Sequence, residues 1–260
     1  MQRRIGWSRN ELLIAFKLYC EIPFGRLHSR NPEIISYAGL VGRTPSALAM
    51  KLTNIASLDP LITSTGRKGL TGASAADKVM WNQMQADWEG FAADIEHAEM
   101  VLHPSSDGTD MKTLRSIAEP AITDFTGRDR LIQTTARVGQ DFFRRTVLSS
   151  YNATCCISGL KVPKLLVASH IVPWRFDPKN RLNPQNGLCL STLHDRVFDL
   201  GIITIDEAMN VRLSKRYTSH KDTFFVNAVC AFNGKPIRFP EKFGPSQEFL
   251  EYHRSHVFEG

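Results

Sequence analysis

The chain has 260 residues, 42% of them hydrophobic and 22% charged. This composition is sufficient for a buried core and excludes an intrinsically disordered chain. The formal net charge of +6 favours a polyanionic partner such as nucleic acid.

The charge is distributed unevenly, with two basic regions flanking an acidic one. Residues 1–72 hold ten Lys and Arg against four Asp and Glu, residues 75–125 hold three against ten, and residues 126–182 hold ten against three. No apolar run approaches the roughly 20 residues of a membrane span, and the N-terminus lacks the apolar stretch of a secretory signal. The five cysteines are irregularly spaced, which favours reduced thiols. We therefore expect a cytoplasmic protein.

The first 58 residues predict three short helices. Ser8 and Glu11 have the spacing of a capping box at the start of the first helix. The second helix lies within residues 31–42, between an Asn-Pro start and a glycine stop. Thr44 as N-cap and Pro45 at the first helical position begin the third.

The third helix is a candidate for reading DNA, because the arrangement resembles a helix-turn-helix reader whose last helix enters a major groove. Arg43 lies at its entrance and Lys51 faces partly away from the predicted core, so both are predicted to contact DNA. The alternative is a plain helical bundle with a basic, solvated face.

Residues 73–102 predict one long helix, since apolar residues recur there at alternating steps of three and four. The stripe consists of Trp81, Met84, Trp88, Phe91, Ile95, Ala98 and Leu102. It packs either within the chain or against the same helix of a second subunit. Residues 103–112 have the composition of a linker. The predicted domains are therefore a helical domain at residues 1–105 and a second domain at residues 113–260.

The second domain predicts a helix, a strand, a loop, a second strand and a helix. The strands lie in "KLLVASHIVP" and "GLCL", and the last helix lies in "STLHDRVFDLG", with Ser191 as its cap and Gly201 as its stop. His170 lies on the first strand, Asn186 at the end of the loop and His194 in the first turn of the last helix. We expect these three side chains to converge on one cleft.

These residues, in the settings S-H-I-x-P, N-G-L-x-L and H-D-x-x-F-D-x-G, resemble the His-Asn-His signature of HNH endonucleases. The likeness extends over about residues 128–258 and is similar to restriction-type members of the group. Residues 1–105 more loosely resemble the modules that precede such nuclease domains. The resemblance implies an α+β protein, in which a helical N-terminal DNA-recognition domain is joined to a ββα-metal nuclease domain.

The implied reaction is hydrolysis of a phosphodiester bond in double-stranded DNA. It needs a deprotonated water, neutralisation of phosphate charge and protonation of the leaving oxygen. An imidazole takes up a proton near neutral pH, so His170 is the predicted general base. The resemblance implies that Asn186 fixes the loop whose backbone carbonyl faces this imidazole. It also implies that His194 holds a divalent cation, Mg²⁺ or Mn²⁺.

The chain departs from the family pattern at two positions. Ser169 stands where a metal-ligating Asp or His commonly precedes the base, and Phe198 stands where some members have a second helix histidine. Asp199 is the nearest carboxylate that can substitute as a metal ligand, and Asp195 is the next. A structural zinc is not expected, because the second positions of both Cys-x-x-Cys pairs are occupied by other residues.

Phosphate contacts outside the site are expected from five cations of the second domain. These are Arg144, Arg145, Arg175, Lys179 and Arg181. Since one such site cuts one strand, we expect a homodimer for duplex cleavage. Recognition of a modified base such as 5-methylcytosine stays open, because a flipped base needs aromatic stacking partners, and Trp7, Tyr19 and Phe24 suit a helix core equally well.

Two other functions remain possible on the sequence alone. Ser169 and Phe198 fit a DNA-binding regulator with a weak or inactive nuclease unit. The same unit also occurs in toxin-type nucleases that act on other nucleic acids.

Overall fold

The computed structural model describes residues 6–64, 66, 72–102 and 127–260, with side chains of the helix that begins at Gly127 described from residue 139. Helices and two small antiparallel sheets make up the described chain, in agreement with the α+β expectation. Within these ranges no helix combines the length and the apolar character that a membrane span requires.

The N-terminal half is helical. Its helices are α1 (Arg9–Glu21), α2 (Pro32–Leu40), α3 (Pro45–Ala56), α4 (Pro60–Ser64), α5 (Ala75–Ala86) and α6 (Trp88–Leu102). The Ser8–Glu11 capping box is present, and the Thr44 hydroxyl accepts a hydrogen bond from the backbone N–H of Ala47. The three predicted helix starts are therefore confirmed, because side chains within a few residues of each start satisfy its free N–H groups.

The predicted single helix over residues 73–102 is wrong, since α5 ends and α6 begins at Asp87. Asp87 leaves the helical conformation, with φ −150° and ψ 90°, and its carboxylate accepts a hydrogen bond of 2.9 Å from the backbone N–H of Gly90. This carboxylate caps the new helix, and capping there outweighs the continuous apolar stripe. The stripe packs on α1 inside the same chain, with Trp88 and Ala98 almost fully buried.

The centre of the second half is a β-hairpin held between two helices. It comprises α7 (Gly127–Ser150), β1 (Leu166–His170), β2 (Gly187–Ser191) and α8 (Thr192–Asp199). The strands are antiparallel, with His170 opposite Gly187 and Leu166 opposite Ser191. At residue 187 a Cβ atom would lie 2.5 Å from Val147 Cγ2 of α7, so only glycine allows this approach.

The chain after α8 covers the hairpin unit. It contains β3 (Ile203–Ile205), β4 (Val211–Leu213), α9 (Thr223–Ala228) and α10 (Gln247–His256). Gly201 ends α8 in the left-handed conformation, with φ +70°, as its predicted role as a stop requires. A Cβ atom there would also collide with the backbone oxygen of Val257.

The two halves share one continuous core. Phe243 contacts the rings of Tyr19, Trp81 and Trp88 in the N-terminal half, with centroids 5.4 to 6.2 Å apart. The fully buried Lys242 donates hydrogen bonds to backbone oxygens at the end of α1. The expected linker at residues 103–112 lies outside the described residues, so the boundary between domains stays a prediction.

All five cysteines are free, as their spacing predicts.

Candidate active site

The imidazole of His170 is fixed on three sides at the end of β1. It stacks on Phe143 of α7, with centroids 4.1 Å apart and planes 10° from parallel, and meets the edge of Trp174. Its Nε2 lies 2.9 Å from the backbone oxygen of Arg181. Because a carbonyl only accepts, Nε2 carries the proton and Nδ1 keeps a lone pair. Burial lowers the pKa of His170 below 6.5, so the neutral ring is favoured near pH 7.

Asn186 holds the loop that carries the Arg181 carbonyl. Its side-chain oxygen accepts a hydrogen bond from the backbone N–H of Val172, and its amide nitrogen donates to the backbone oxygens of Val172 and Asn180. The side chain is almost fully buried. All its hydrogen bonds therefore tie the two ends of the loop together, one residue away from Arg181. The geometry is that of a positioning residue.

His194 lies elsewhere in the unit. Its Nε2 donates to the backbone oxygen of Ala228 at 2.9 Å, and its Nδ1 lies 2.9 Å from the hydroxyl of Ser191. Ser191 pairs with Leu166, at the opposite end of β1 from His170. Both ring nitrogens of His194 therefore have partners within the protein, which disfavours its predicted role as a metal ligand, and its convergence with His170 stays a prediction.

Asp195 is the next residue on α8. Its charge raises the pKa of His170, opposing the effect of burial, so the carboxylate lies within electrostatic range of that ring. Asp199 follows one helical turn later on the same face. Burial raises the pKa of Asp199 to about 6, and the negative charge of Asp195 contributes to this shift. A cation bound between Asp195 and Asp199 would relieve their mutual repulsion.

The donor set fits a magnesium-type ion better than zinc. Two carboxylates on one helix face match the way Mg²⁺ is held in proteins, with water and substrate oxygens completing the coordination. Among the described residues no group of three or more His, Cys, Asp or Glu side chains converges as a metal cage. Ser169 of β1 is buried, and its hydroxyl has no hydrogen-bond partner. Phe198 is buried against His253.

Three of the cations that are predicted to contact DNA form ion pairs within the protein. Lys51 is buried, with its ammonium 2.9 Å from both oxygens of Asp77. The side chain of Arg43 pairs with Glu11 and lies on Trp7. Arg145 pairs with Glu33, which joins α7 to α2. These ion pairs occupy the three cationic groups within the protein, and their contact with DNA stays a prediction.

Four cations remain toward solvent around the hairpin. Arg175 and Lys179 are exposed on the loop between the strands, and Arg181 is half-buried against Trp174. Arg144 is exposed on α7, with one guanidinium nitrogen donating to the backbone oxygen of Leu166. Three of these four cations thus lie on the loop next to His170.

The hairpin and α8 lie inside a recognisable segment. Residues 155–206 match the family model of an HNH endonuclease. No curated protein matches the chain. The HNH match spans β1, β2, α8 and β3, and therefore includes His170, Asn186 and Asp195. It indicates nuclease activity and nucleic-acid binding in general, and HNH nucleases generally use divalent metal ions.

The sequence pattern favours His194 and Asp199 over Asp195 as metal ligands. A signal for it was present, because two carboxylates four residues apart share one face of a helix. The Nε2–H of His194 donates to the backbone oxygen of Ala228, which is 34 residues away in the chain. That contact depends on the tertiary fold and has no local pattern.

Proposed function

We propose that the protein is a divalent-metal-dependent DNA endonuclease that hydrolyses phosphodiester bonds. The observation that carries the proposal is the setting of His170. Within a segment that matches an HNH endonuclease, its Nε2–H is held by a backbone carbonyl and its Nδ1 remains available as a base. Asn186 supports the proposal, because its hydrogen bonds fix the loop that supplies this carbonyl.

In the proposed reaction Nδ1 of His170 takes the proton from the attacking water. The hydrogen bond from Nε2–H to the Arg181 oxygen fixes the tautomer and stabilises the charge that the ring acquires. Stacking on Phe143 prevents rotation of the ring. The base is thus oriented before substrate binds, which reduces the entropic cost of reaching the transition state.

Asp195 and Asp199 are the residues that would hold the ion, Mg²⁺ or Mn²⁺. The bound ion would neutralise charge on the scissile phosphate and on the leaving oxygen. The exposed cations Arg175 and Lys179, together with Arg181 and Arg144, would contact neighbouring phosphates of double-stranded DNA. A homodimer would supply the second site that duplex cleavage requires.

A role in restriction, with or without dependence on a modified base such as 5-methylcytosine, extends the proposal. The N-terminal helices would then recognise DNA. The exposed face of α3 contains Ser46 and Met50. The cationic groups of Arg43 and Lys51 are not on this face, because they pair with Glu11 and Asp77. Base recognition from this face would therefore depend on polar and apolar contacts.

The central experiment compares wild type with His170→Ala on supercoiled plasmid in Mg²⁺, Mn²⁺ or EDTA. Removal of a general base should lower the cleavage rate about 10²-fold or more. His220→Ala is the matched control, since His220 is exposed and distant in sequence from the hairpin. Equal cleavage by wild type and His170→Ala would disprove the proposed role of His170. Equal cutting of methylated and unmethylated plasmid would remove modification dependence.

One observation favours a DNA-binding regulator as the second candidate. Ser169, which replaces a common metal ligand, contributes a buried hydroxyl without a partner. A protein that binds duplex DNA but nicks no plasmid in Mg²⁺ or Mn²⁺ would establish this alternative. A toxin-type nuclease would instead cut single-stranded RNA in preference to duplex DNA.

A further inference from the structure

The aromatic residues considered for a flipped base are used elsewhere. Tyr19 is fully buried, and its hydroxyl donates to Asp59 at 2.7 Å. The ring of Trp7 lies beneath the cationic groups of Arg43 and Lys51. Phe24 packs against the core. None of the three is arranged as a surface for stacking a base.

A different aromatic row lies on the surface beside the candidate active site. Phe176, on the loop between β1 and β2, is 54% exposed. The guanidinium of Arg175 lies 4.5 Å from the centre of its ring. Tyr252 of α10 lies 6.4 Å from Phe176, tilted by 43°, and stacks on His256 at 4.3 Å with planes 13° apart. The row is thus Arg175, Phe176, Tyr252 and His256, with its widest spacing in the middle.

That middle spacing is close to the distance needed for one nucleobase. Bases in a strand stack about 3.4 Å apart, so a base between two rings needs centroids roughly 7 Å apart. Arg175 covers one face of Phe176 and His256 covers one face of Tyr252. Phe176 is exposed, whereas Tyr252 is partly buried and also packs against the core. The two rings are 43° from parallel, so one of them would have to turn by that angle when a base is bound.

The row is held at a fixed place relative to His170. Trp174, two residues before Phe176, contacts the His170 ring. The Arg181 Nε–H donates to the backbone oxygen of Trp174 at 2.9 Å. This hydrogen bond joins the two sides of the loop. Residues 174–181 contain three cations and one carboxylate. An exposed phenyl ring on a basic, braced loop suits a base with its attached phosphate better than an apolar protein surface.

We propose that Phe176 and Tyr252 clamp one unstacked nucleobase next to the scissile phosphate, and that Arg175 binds the phosphate attached to it. The preferred substrate class is therefore DNA with an unpaired or flipped-out nucleotide at the cut site. This inference rests on the proposed nuclease function, because it places the clamp beside the same His170.

The test separates base contacts from phosphate contacts. Binding of the full-length protein to a dye-labelled short oligodeoxythymidylate is compared, by fluorescence anisotropy in EDTA, with binding to an abasic deoxyribose-phosphate strand of equal length. Wild type should bind the thymidylate at least about five-fold more tightly, since stacking on an aromatic side chain contributes about 1–3 kcal/mol per base. In Phe176→Leu and in Tyr252→Leu the ratio should fall toward one.

Phe239→Leu is the matched control, because Phe239 is 56% exposed and lies outside the row. It should retain the wild-type ratio, and thermal melts should show that all three variants fold. A wild-type ratio of one, a ratio unchanged in both row variants, or failure to bind either strand would overturn the clamp. Cleavage of duplex plasmid is measured separately in Mg²⁺. Cleavage without base preference disproves only the clamp, and base preference without cleavage disproves only the nuclease.

Discussion

His170 illustrates how the environment of one residue adjusts its chemistry. Stacking on Phe143 and enclosure by Trp174 remove water from the ring, and this burial lowers its pKa below the ordinary 6.5. The Arg181 carbonyl and Asp195 oppose the shift without cancelling it. The ring is therefore neutral, and able to accept a proton, over more of the acidic range than a solvated histidine.

This shift predicts the acid side of the pH–rate profile. A general base acts only when deprotonated, so kcat/KM should fall as pH decreases through the pKa of His170. Because burial lowers that pKa, half-maximal kcat/KM should lie below pH 6.5. The measurement is initial cleavage rate at limiting substrate and saturating Mg²⁺ from pH 5 to pH 8. A midpoint at or above pH 6.5 would contradict the assignment of His170 as a buried base.

His253 predicts how stability depends on pH. Burial lowers the pKa of His253 from 6.5 to about 4. Its Nε2–H donates to the backbone oxygen of Phe198, and its Nδ1 faces the Thr204 hydroxyl, an arrangement that suits a neutral ring. Between about pH 6.5 and pH 4 the unfolded chain binds the proton that the folded chain does not. The free energy of unfolding should therefore fall as pH decreases through this window, by up to about 3 kcal/mol.

The check is urea denaturation of wild type and His253→Gln from pH 7 to pH 4.5. The variant lacks the titrating group, so its stability relative to wild type should improve as the solution becomes more acidic. His256→Gln is the control, since His256 lies on the same helix with an exposed side chain. Parallel pH curves for wild type and His253→Gln would contradict the prediction.

At the scale of the element, the sequence predicted the features that depend on contacts between residues close together in the chain. The starts of α1 and α3 followed from capping side chains, and the end of α8 followed from Gly201. The hairpin order followed from apolar runs around the Asn-Gly pair. The sequence did not reveal the break at Asp87, because an Asp in an amphipathic segment can either lie inside a continuous helix or cap the start of a new one.

Within α8, the assignment of side chains to the site could only partly be predicted. The pattern places His194 and Asp195 side by side, and one residue turns a helix by about 100°, so they face different neighbours. Which of them faces His170 depends on how α8 packs on the hairpin. The structure directs His194 to Ala228 and leaves Asp195 within range of His170.

Metal dependence distinguishes these neighbouring residues of α8. Asp195→Asn should raise the Mg²⁺ concentration for half-maximal cleavage at least about ten-fold, because a charged ligand is lost. His194→Gln should leave that concentration unchanged while lowering thermal stability, since it disturbs buried hydrogen bonds to Ser191 and Ala228. Cleavage titrations with Mg²⁺ and thermal melts of both variants provide the comparison. A shifted Mg²⁺ requirement in His194→Gln alone would restore the histidine as the ligand.

At the scale of the whole molecule, the two halves are joined by a buried charge. Lys242 is fully buried, and its ammonium donates to the backbone oxygens of Tyr19, Cys20 and Ile22, at the end of α1, and to the Ser149 hydroxyl of α7. These carbonyls are the groups that a helix end leaves unpaired. A cation from the second half thus completes a helix of the first, and the core is continuous across the junction.

Lys242→Met should therefore lower the free energy of unfolding of the whole chain, by about 3 kcal/mol. The substitution keeps the length of the side chain but leaves buried carbonyls without donors, at about 1–3 kcal/mol for an unsatisfied group. Lys235→Met, at an exposed lysine, is the control and should change stability little. Denaturant titrations followed by tryptophan fluorescence and by circular dichroism give the comparison. Equal stability of wild type and Lys242→Met would contradict the proposed junction.

The same lysine predicts the behaviour of the junction at alkaline pH. Burial lowers the pKa of Lys242 from 10.5 to about 8, so between these pH values the unfolded chain binds a proton that the folded chain has released. The contribution of Lys242 to the free energy of unfolding therefore rises as the pH increases from about 8 to 10.5. The stability advantage of wild type over Lys242→Met should grow from pH 8 to pH 10. An advantage that shrinks over this range would show that the ammonium form, held by the carbonyls of α1, is favoured despite its burial.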